Sequence, residues 1–125
     1  MRTTKFRGKR LDNGEWAIGL LIKMRGAWHI LDWDDENTAY PVDPATIGQY
    51  TGLKDKNGQE VYEGDIVEKY GDLYVCRWID AHACFAFVEN VKYGVHHYFQ
   101  KIDEKRLTLI SNIHDNPELL KGGEQ

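Results

Sequence analysis

A chain of 125 residues, 42% apolar and 29% charged, fits one domain or one domain with a small appendage. It carries enough apolar material for a core without disulfide or metal staples. Two cysteines, Cys76 and Cys84, argue against a disulfide-dense secreted scaffold. A net charge of -4 argues against the strongly basic type of dedicated nucleic-acid binder.

Turn signals recur at short intervals with β-rich segments between them, the pattern of an all-β chain. Lys5 to Lys9 is the first expected strand. Asn13-Gly14 tolerates the positive φ values of a tight hairpin, so Trp16 to Ile22 returns beside it. Arg25-Gly26 turns the chain into Ala27 to Leu31. The acidic stretch Asp32 to Asn37 reads as an exposed loop. Pro41 and Pro44 break regular structure. Asp43 is placed to cap a helical turn that begins with Pro44. The N-terminal β unit is expected to end there, covering residues 1–45.

Asp55-Lys56-Asn57-Gly58 is the next turn and Glu60 to Tyr62 a brief strand. Glu63-Gly64 bends the chain into Asp65 to Tyr70. Gly71-Asp72 separates that strand from Leu73 to Trp78, where alternation puts Tyr74, Cys76 and Trp78 on one face. Ile79 to His82 is a loop. Ala83 to Val88, Val95 to Gln100 and Arg106 to Asn112 complete the strands. Asn116, Pro117 and Glu118 start a short helical turn, and residues 121–125 form a disordered tail. Five short strands between Val61 and Asn112 suffice to close a small barrel over residues 46–120, and closure removes sticky edges.

The run Thr46-Ile47-Gly48-Gln49-Tyr50-Thr51-Gly52-Leu53, then the Lys56-Asn57-Gly58 turn and Glu63-Gly64-Asp65-Ile66-Val67, resembles the signature of the YopX family of bacteriophage and prophage proteins. Lys5-Phe6-Arg7, Trp16, Gly19, Val42-Asp43 and the closing Ile113 to Leu120 stand at matching relative positions. The resemblance spans nearly the whole chain, although residues 21–40 and 79–101 match little beyond strand character. It implies a mainly β protein whose second half is an SH3-like barrel, encoded in a phage or prophage. It brings no catalytic residue set, cofactor or ligand.

The residues themselves offer few chemical sites. Cys76, His82, Cys84 and His96-His97 are the soft-metal candidates, but no Cys-x-x-Cys element exists and adjacent strand histidines point to opposite faces. Buried reduced cysteines are expected instead, and neither a metal nor a cofactor. Glu63-Gly64-Asp65 could form a carboxylate pair. The competing reading is a bend in which Asp65 accepts from nearby amides. Asp32 to Glu36 lacks the central glycine of a calcium loop. Ser111 is the sole serine and sits in no nucleophile elbow.

Lys5, Arg7 and Lys9 share a strand face that could follow a phosphate backbone, with Trp16, Trp28 and Tyr74 as stacking surfaces. Equally physical is a basic edge strand that resists aggregation, with the rings filling a core. No apolar leader region or membrane-length run is present, so a soluble cytoplasmic protein without membrane contact is expected; for the phage or prophage gene that the resemblance implies, that is the cytoplasm of the bacterial host cell.

The functional expectation is a non-enzymatic binding module. It acts through contacts with a protein partner, self-association into a homo-oligomer included, and Tyr50, Trp78, Phe85, Phe87 and Tyr98 are its core or interface aromatics. The alternative is sequence-tolerant nucleic-acid binding through Lys5, Arg7 and Lys9. The third reading is an enzyme built on Glu63 and Asp65.

Overall fold

The computed structural model describes residues 4–79, 84–89, 96–98 and 104–120. Internal contacts divide the chain between Tyr50 and Thr51. Both units are antiparallel and mainly β, as the turn spacing requires; the helical content among the described residues is short 3-10 turns.

The first unit contains β1 (Phe6–Lys9), β2 (Trp16–Met24), β3 (Ala27–Asp32), β4 (Ala39–Pro41) and the start of β5 (Gly48–Lys54), in the order β4-β3-β2-β1-β5. The β1–β2 turn uses Gly14 at φ 73°, and the Asn13 side chain accepts the Glu15 N–H at 2.9 Å. Arg25 and Gly26, at φ 52° and 80°, make the two-residue β2–β3 turn, the left-handed pair that matches strand twist. Gly19 has a different reason to be glycine. A Cβ there would lie 1.7 Å from the Leu31 carbonyl oxygen, so no side chain fits where β2 meets β3. Phe6, Leu21, Trp28, Tyr40 and Ile47 pack on the buried Ala17, Ile30 and Val42.

Asp43 caps the 3-10 turn Pro44–Thr46 by accepting from Ala45 N–H, as expected. The buried Thr46 hydroxyl then accepts the Lys9 amide at 2.8 Å, which ties that turn to the end of β1. Pro41 differs from expectation. It does not break structure but closes β4, paired with His29, on the outermost strand of this order, where a missing N–H costs little.

The second unit holds the end of β5, β6 (Glu60–Tyr62), β7 (Asp65–Lys69), β8 (Asp72–Ile79), β9 (Cys84–Glu89), β10 (His96–Tyr98) and β11 (Thr108–Asn112). Its five-stranded sheet runs β10-β9-β8-β7-β11. Among the described residues this is an open order, without a ladder joining β10 to β11. Val61, Val67, Tyr74, Cys76, Phe85, Phe87 and Leu107 form its buried core, with Leu53 and Leu109 packed on it. Burying each such large side chain contributes roughly 1.5–3 kcal/mol.

Buried polar groups fasten the ends of these strands. Asp55 accepts from Asn57 and Gln59 at 2.9 Å each and from Leu109 at 2.9 Å, locking its turn to β11. Burial pushes the Asp55 carboxyl up. The three N–H bonds outweigh that and hold it below its ordinary value. Asn112 accepts from the amides of His114 and Asp115 and shapes the chain after β11. Tyr70 and Gly71, at φ 53° and 86°, form the β7–β8 turn; Tyr70 is a bulky residue in the left-handed region, its ring flanked by Lys69 and Arg106.

Candidate interaction surface

Strand alternation sorts β1 into two faces. Phe6 and Gly8 turn inward; a Cβ on Gly8 would sit 3.1 Å from Val42. Lys5, Arg7 and Lys9 therefore share the outer face, as the sequence reading holds. The register supplies their neighbours. Lys9 lies opposite Trp16, and Arg7 opposite Ile18 on β2 and Gly48 on β5. Tyr50 comes beside Lys5 because its amide donates to the Lys5 carbonyl at 2.7 Å.

The outer face thus interleaves cations with rings. The Arg7 guanidinium lies 4.4 Å from the Trp16 ring centroid, and Lys9 Nζ lies 5.5 Å from the same ring. Lys5 Nζ sits 4.9 Å from Trp33 and 5.4 Å from Tyr50. Contacts of this kind contribute about 0.5–1 kcal/mol when exposed and about 2 when desolvated. Arg7 is only 8% exposed, so its stacking on Trp16 falls toward the stronger end.

Beside this basic strand lies apolar surface. Ile18, Leu20 and Trp33 are 39, 44 and 46% exposed. Ile18 and Leu20 are two apart on β2 and share a face. Trp33 extends the β3 side by one residue, its N–H donating to the Ile18 carbonyl at 2.9 Å. Single exposed apolar residues are ordinary; here three are grouped on one sheet face as an exposed apolar patch.

The acidic loop follows directly. Asp32 Oδ1 accepts the amides of Asp34 and Asp35, and Asp35 accepts the Asn37 amide and the Thr38 hydroxyl. That hydroxyl first, then the Asn37 N–H, hold the Asp35 carboxyl below its ordinary value. Asp32 and Asp35 thereby shape the loop, and the exposed Asp34 and Glu36 decorate it.

The YopX protein family matches residues 5–121. The chain belongs to the YopX family. Among curated proteins none matches. A solved structure, protein EF1440 from Enterococcus faecalis, is similar at 23% identity and a TM-score of 0.53, covering 96% of this chain and 99% of that one. That likeness concerns the fold. Family membership confirms the resemblance read from the Thr46–Leu53 and Glu63–Val67 runs.

Other expected positions fall out differently. Trp28 and Tyr74 do not join the stacking surface. Register places Trp28 on the inner face with Ile30, and Tyr74 is buried opposite Val67. Trp33, exposed beside Lys5, takes such a place. Of the named aromatics, Tyr50, Phe85 and Phe87 are buried. Trp78 is exposed, with its ring edge-on to Phe85 at 5.1 Å. Tyr98 lies in β10, and its side chain is outside the described residues.

Asp65 is 1% exposed and accepts the Tyr62 amide at 2.7 Å, the bend chemistry expected of it, while Glu63 is half-buried. Cys76 and Cys84 form no disulfide, and Cys76 is buried. His82 lies outside the described residues, as do the side chains of His96 and His97. Among the described residues no group of three His, Cys, Asp or Glu could hold a metal ion, and no helix is long and apolar enough to cross a membrane.

Proposed function

We propose that this YopX-family chain is a non-enzymatic binding module that contacts a protein partner through the outer face of its N-terminal sheet. The observation that supports the reading is the exposed group Ile18, Leu20 and Trp33, rimmed by cations already stacked on rings. Such rings are held in place before a partner arrives, so little side-chain freedom is lost on contact. Tyrosine, tryptophan and arginine at the centre of a patch are the residues from which contact energy usually comes. The phage or prophage setting, the SH3-like character of the second unit and a location in the host cytoplasm belong to the same proposal and are carried by the family resemblance.

The test is affinity capture from phage-infected bacterial host cells with the full chain and with an Ile18→Asp/Leu20→Asp variant, each with and without nuclease. Both positions are exposed, so the variant is expected to fold. The proposal expects proteins retained by the wild type, insensitive to nuclease and lost with the variant. Identical capture by both chains would refute it.

Nucleic-acid binding is the second reading, favoured by the alternation of Lys5, Arg7 and Lys9 with Trp16 and Trp33. It predicts a shift of single-stranded probes at low salt that weakens steeply as salt rises. The burial of Arg7 weighs against it, because a phosphate has little access to that guanidinium. Absence of any probe shift at low salt would remove it.

A further inference from the structure

The sequence holds two Asn-Gly pairs, Asn13-Gly14 and Asn57-Gly58, and the fold treats them differently. We propose that Asn57 is a site of spontaneous deamidation to isoaspartate, that Asn13 is shielded from the same reaction, and that conversion at Asn57 loosens the Asp55 clamp between its turn and β11.

The chemistry needs only the residue pair and water. The Gly58 amide nitrogen gives up its proton to hydroxide and attacks Cγ of the Asn57 side chain. A bond forms between that nitrogen and Cγ, the Cγ–Nδ2 bond breaks, and Nδ2 leaves as ammonia with a proton taken from water. Water then opens the cyclic imide. Opening at the side-chain carbonyl gives aspartate. Opening at the main-chain carbonyl gives isoaspartate, whose backbone runs through Cγ and is one methylene longer. Nothing is oxidised or reduced. Glycine favours the attack because no side chain crowds its nitrogen, and the space around a Cβ at Gly58 is empty to 4 Å.

The two pairs share most of what sets the rate. Each asparagine is exposed. Gly14 and Gly58 stand in open space at φ 73° and 82°. Each glycine N–H donates to a backbone carbonyl, Gly14 to Arg10 at 2.9 Å and Gly58 to Asp55 at 3.0 Å. The asparagine side chains separate them. Asn13 is held at both ends, its Oδ1 accepting the Glu15 N–H at 2.9 Å and its Nδ2 donating to Glu15 Oε2 at 3.3 Å. Asn57 is held by its backbone N–H on Asp55 Oδ1, and among the described residues its side chain makes no hydrogen bond. Bringing Cγ over the following nitrogen therefore disturbs two bonds at Asn13 and none at the Asn57 side chain.

The position of Asn57 gives the reaction a consequence. Asp55 Oδ1 accepts the amides of Asn57 and Gln59, one on each side of the Asn57–Gly58 bond, while Oδ2 holds the Leu109 amide on β11. The Lys56 N–H adds a bond to the Leu107 carbonyl. A methylene inserted between Asn57 and Gly58 moves Gln59 away from Asn57, so one carboxylate oxygen no longer reaches both amides. It also brings a second carboxylate close to Asp55.

Incubation of the full chain in warm, mildly alkaline buffer, followed by peptide mapping in a mass spectrometer, reads the amide-to-acid change at each pair; methyl transfer by an isoaspartate methyltransferase counts the isoaspartate. In the folded chain Asn57 is expected to convert roughly tenfold faster than Asn13, and in urea the two rates should converge. Glu15→Ala should raise the Asn13 rate, and Asn57→Gln should remove the isoaspartate signal from its peptide. The form with isoaspartate at position 57, separated by ion exchange, should unfold at lower urea than Asn57→Asp, which adds the charge without the methylene. Equal rates at the two pairs in the folded chain, a tenfold gap that persists in urea, or an Asn57 that converts only when unfolded would each overturn the assignment of the site. An isoaspartate form as stable as Asn57→Asp would overturn its effect on the clamp.

Discussion

In the second unit Tyr74, Phe85 and Phe87 lie buried among Val61, Val67, Cys76 and Leu107, and buried side chains such as Asp55 fasten the chain around them. In the first unit the fully packed residues are smaller, Ala17, Ile30 and Val42. There Trp16 and Trp33 stand on the opposite face beside Arg7, Lys9 and Lys5. The same aromatic chemistry thus serves two ends. Rings turned inward contribute burial free energy to stability. Rings turned outward lie against cations, and Trp33 keeps exposed surface.

The largest expected effect comes from the tightest backbone approach in the first unit. Gly19→Ala should cost about 4 kcal/mol or more in urea denaturation, because its Cβ would meet backbone that cannot rotate away. A near-wild-type midpoint would show that β2 and β3 can separate there at little cost. Phe87→Ala should cost about 3–4 kcal/mol by loss of burial and by the cavity left; a cost under about 1 kcal/mol would mean that the second unit's core is not built around that ring.

Asp55→Asn comes next, at about 2 kcal/mol near neutral pH, since a charged acceptor of three amides becomes a neutral one. Its pH dependence has a definite sign. The folded carboxyl sits below the ordinary value of 3.8. Its stabilisation is therefore complete above that value and is lost as pH falls through the lower folded value. Wild type and variant should converge in acid; a gap that persisted would place the effect outside the carboxylate. The smallest effect on stability belongs to the outward rings. Trp33→Ala should change it by about 0.5–1 kcal/mol at most and yet abolish association through the face. A large loss of stability would make Trp33 a core residue and erase the contrast between the units.

Much of the fold was legible where local chemistry decides it. Asn13-Gly14, Arg25-Gly26 and Gly71 marked hairpins because few residues accept their φ values. Asp43 before Pro44 marked a capped turn. The remainder depends on contacts distant in sequence. β4 was missed because a proline reads as a breaker until an edge position is known. Trp28 and Trp33 are five residues apart on one stretch of chain, and only the β2–β3 register decides that one faces inward and the other outward. Lys5 finds Tyr50 because β1 pairs with β2 on one side and β5 on the other, and Asp55 finds Leu109 across 54 residues. Turn chemistry cannot reveal either link. The acidic loop was recognised as a loop, but the separation of Asp32 and Asp35 from Asp34 and Glu36 appeared only with their hydrogen bonds.

Hydroxyl-radical footprinting of the intact chain, dilute and then concentrated or mixed with captured partner, reads the outward and inward residues in one experiment. Ile18, Leu20 and Trp33 should be modified readily when the chain is dilute and protected once the face is occupied, while Phe85 and Phe87 remain unmodified throughout. Equal modification of Ile18, Leu20 and Trp33 under every condition would contradict the assignment of that face to binding.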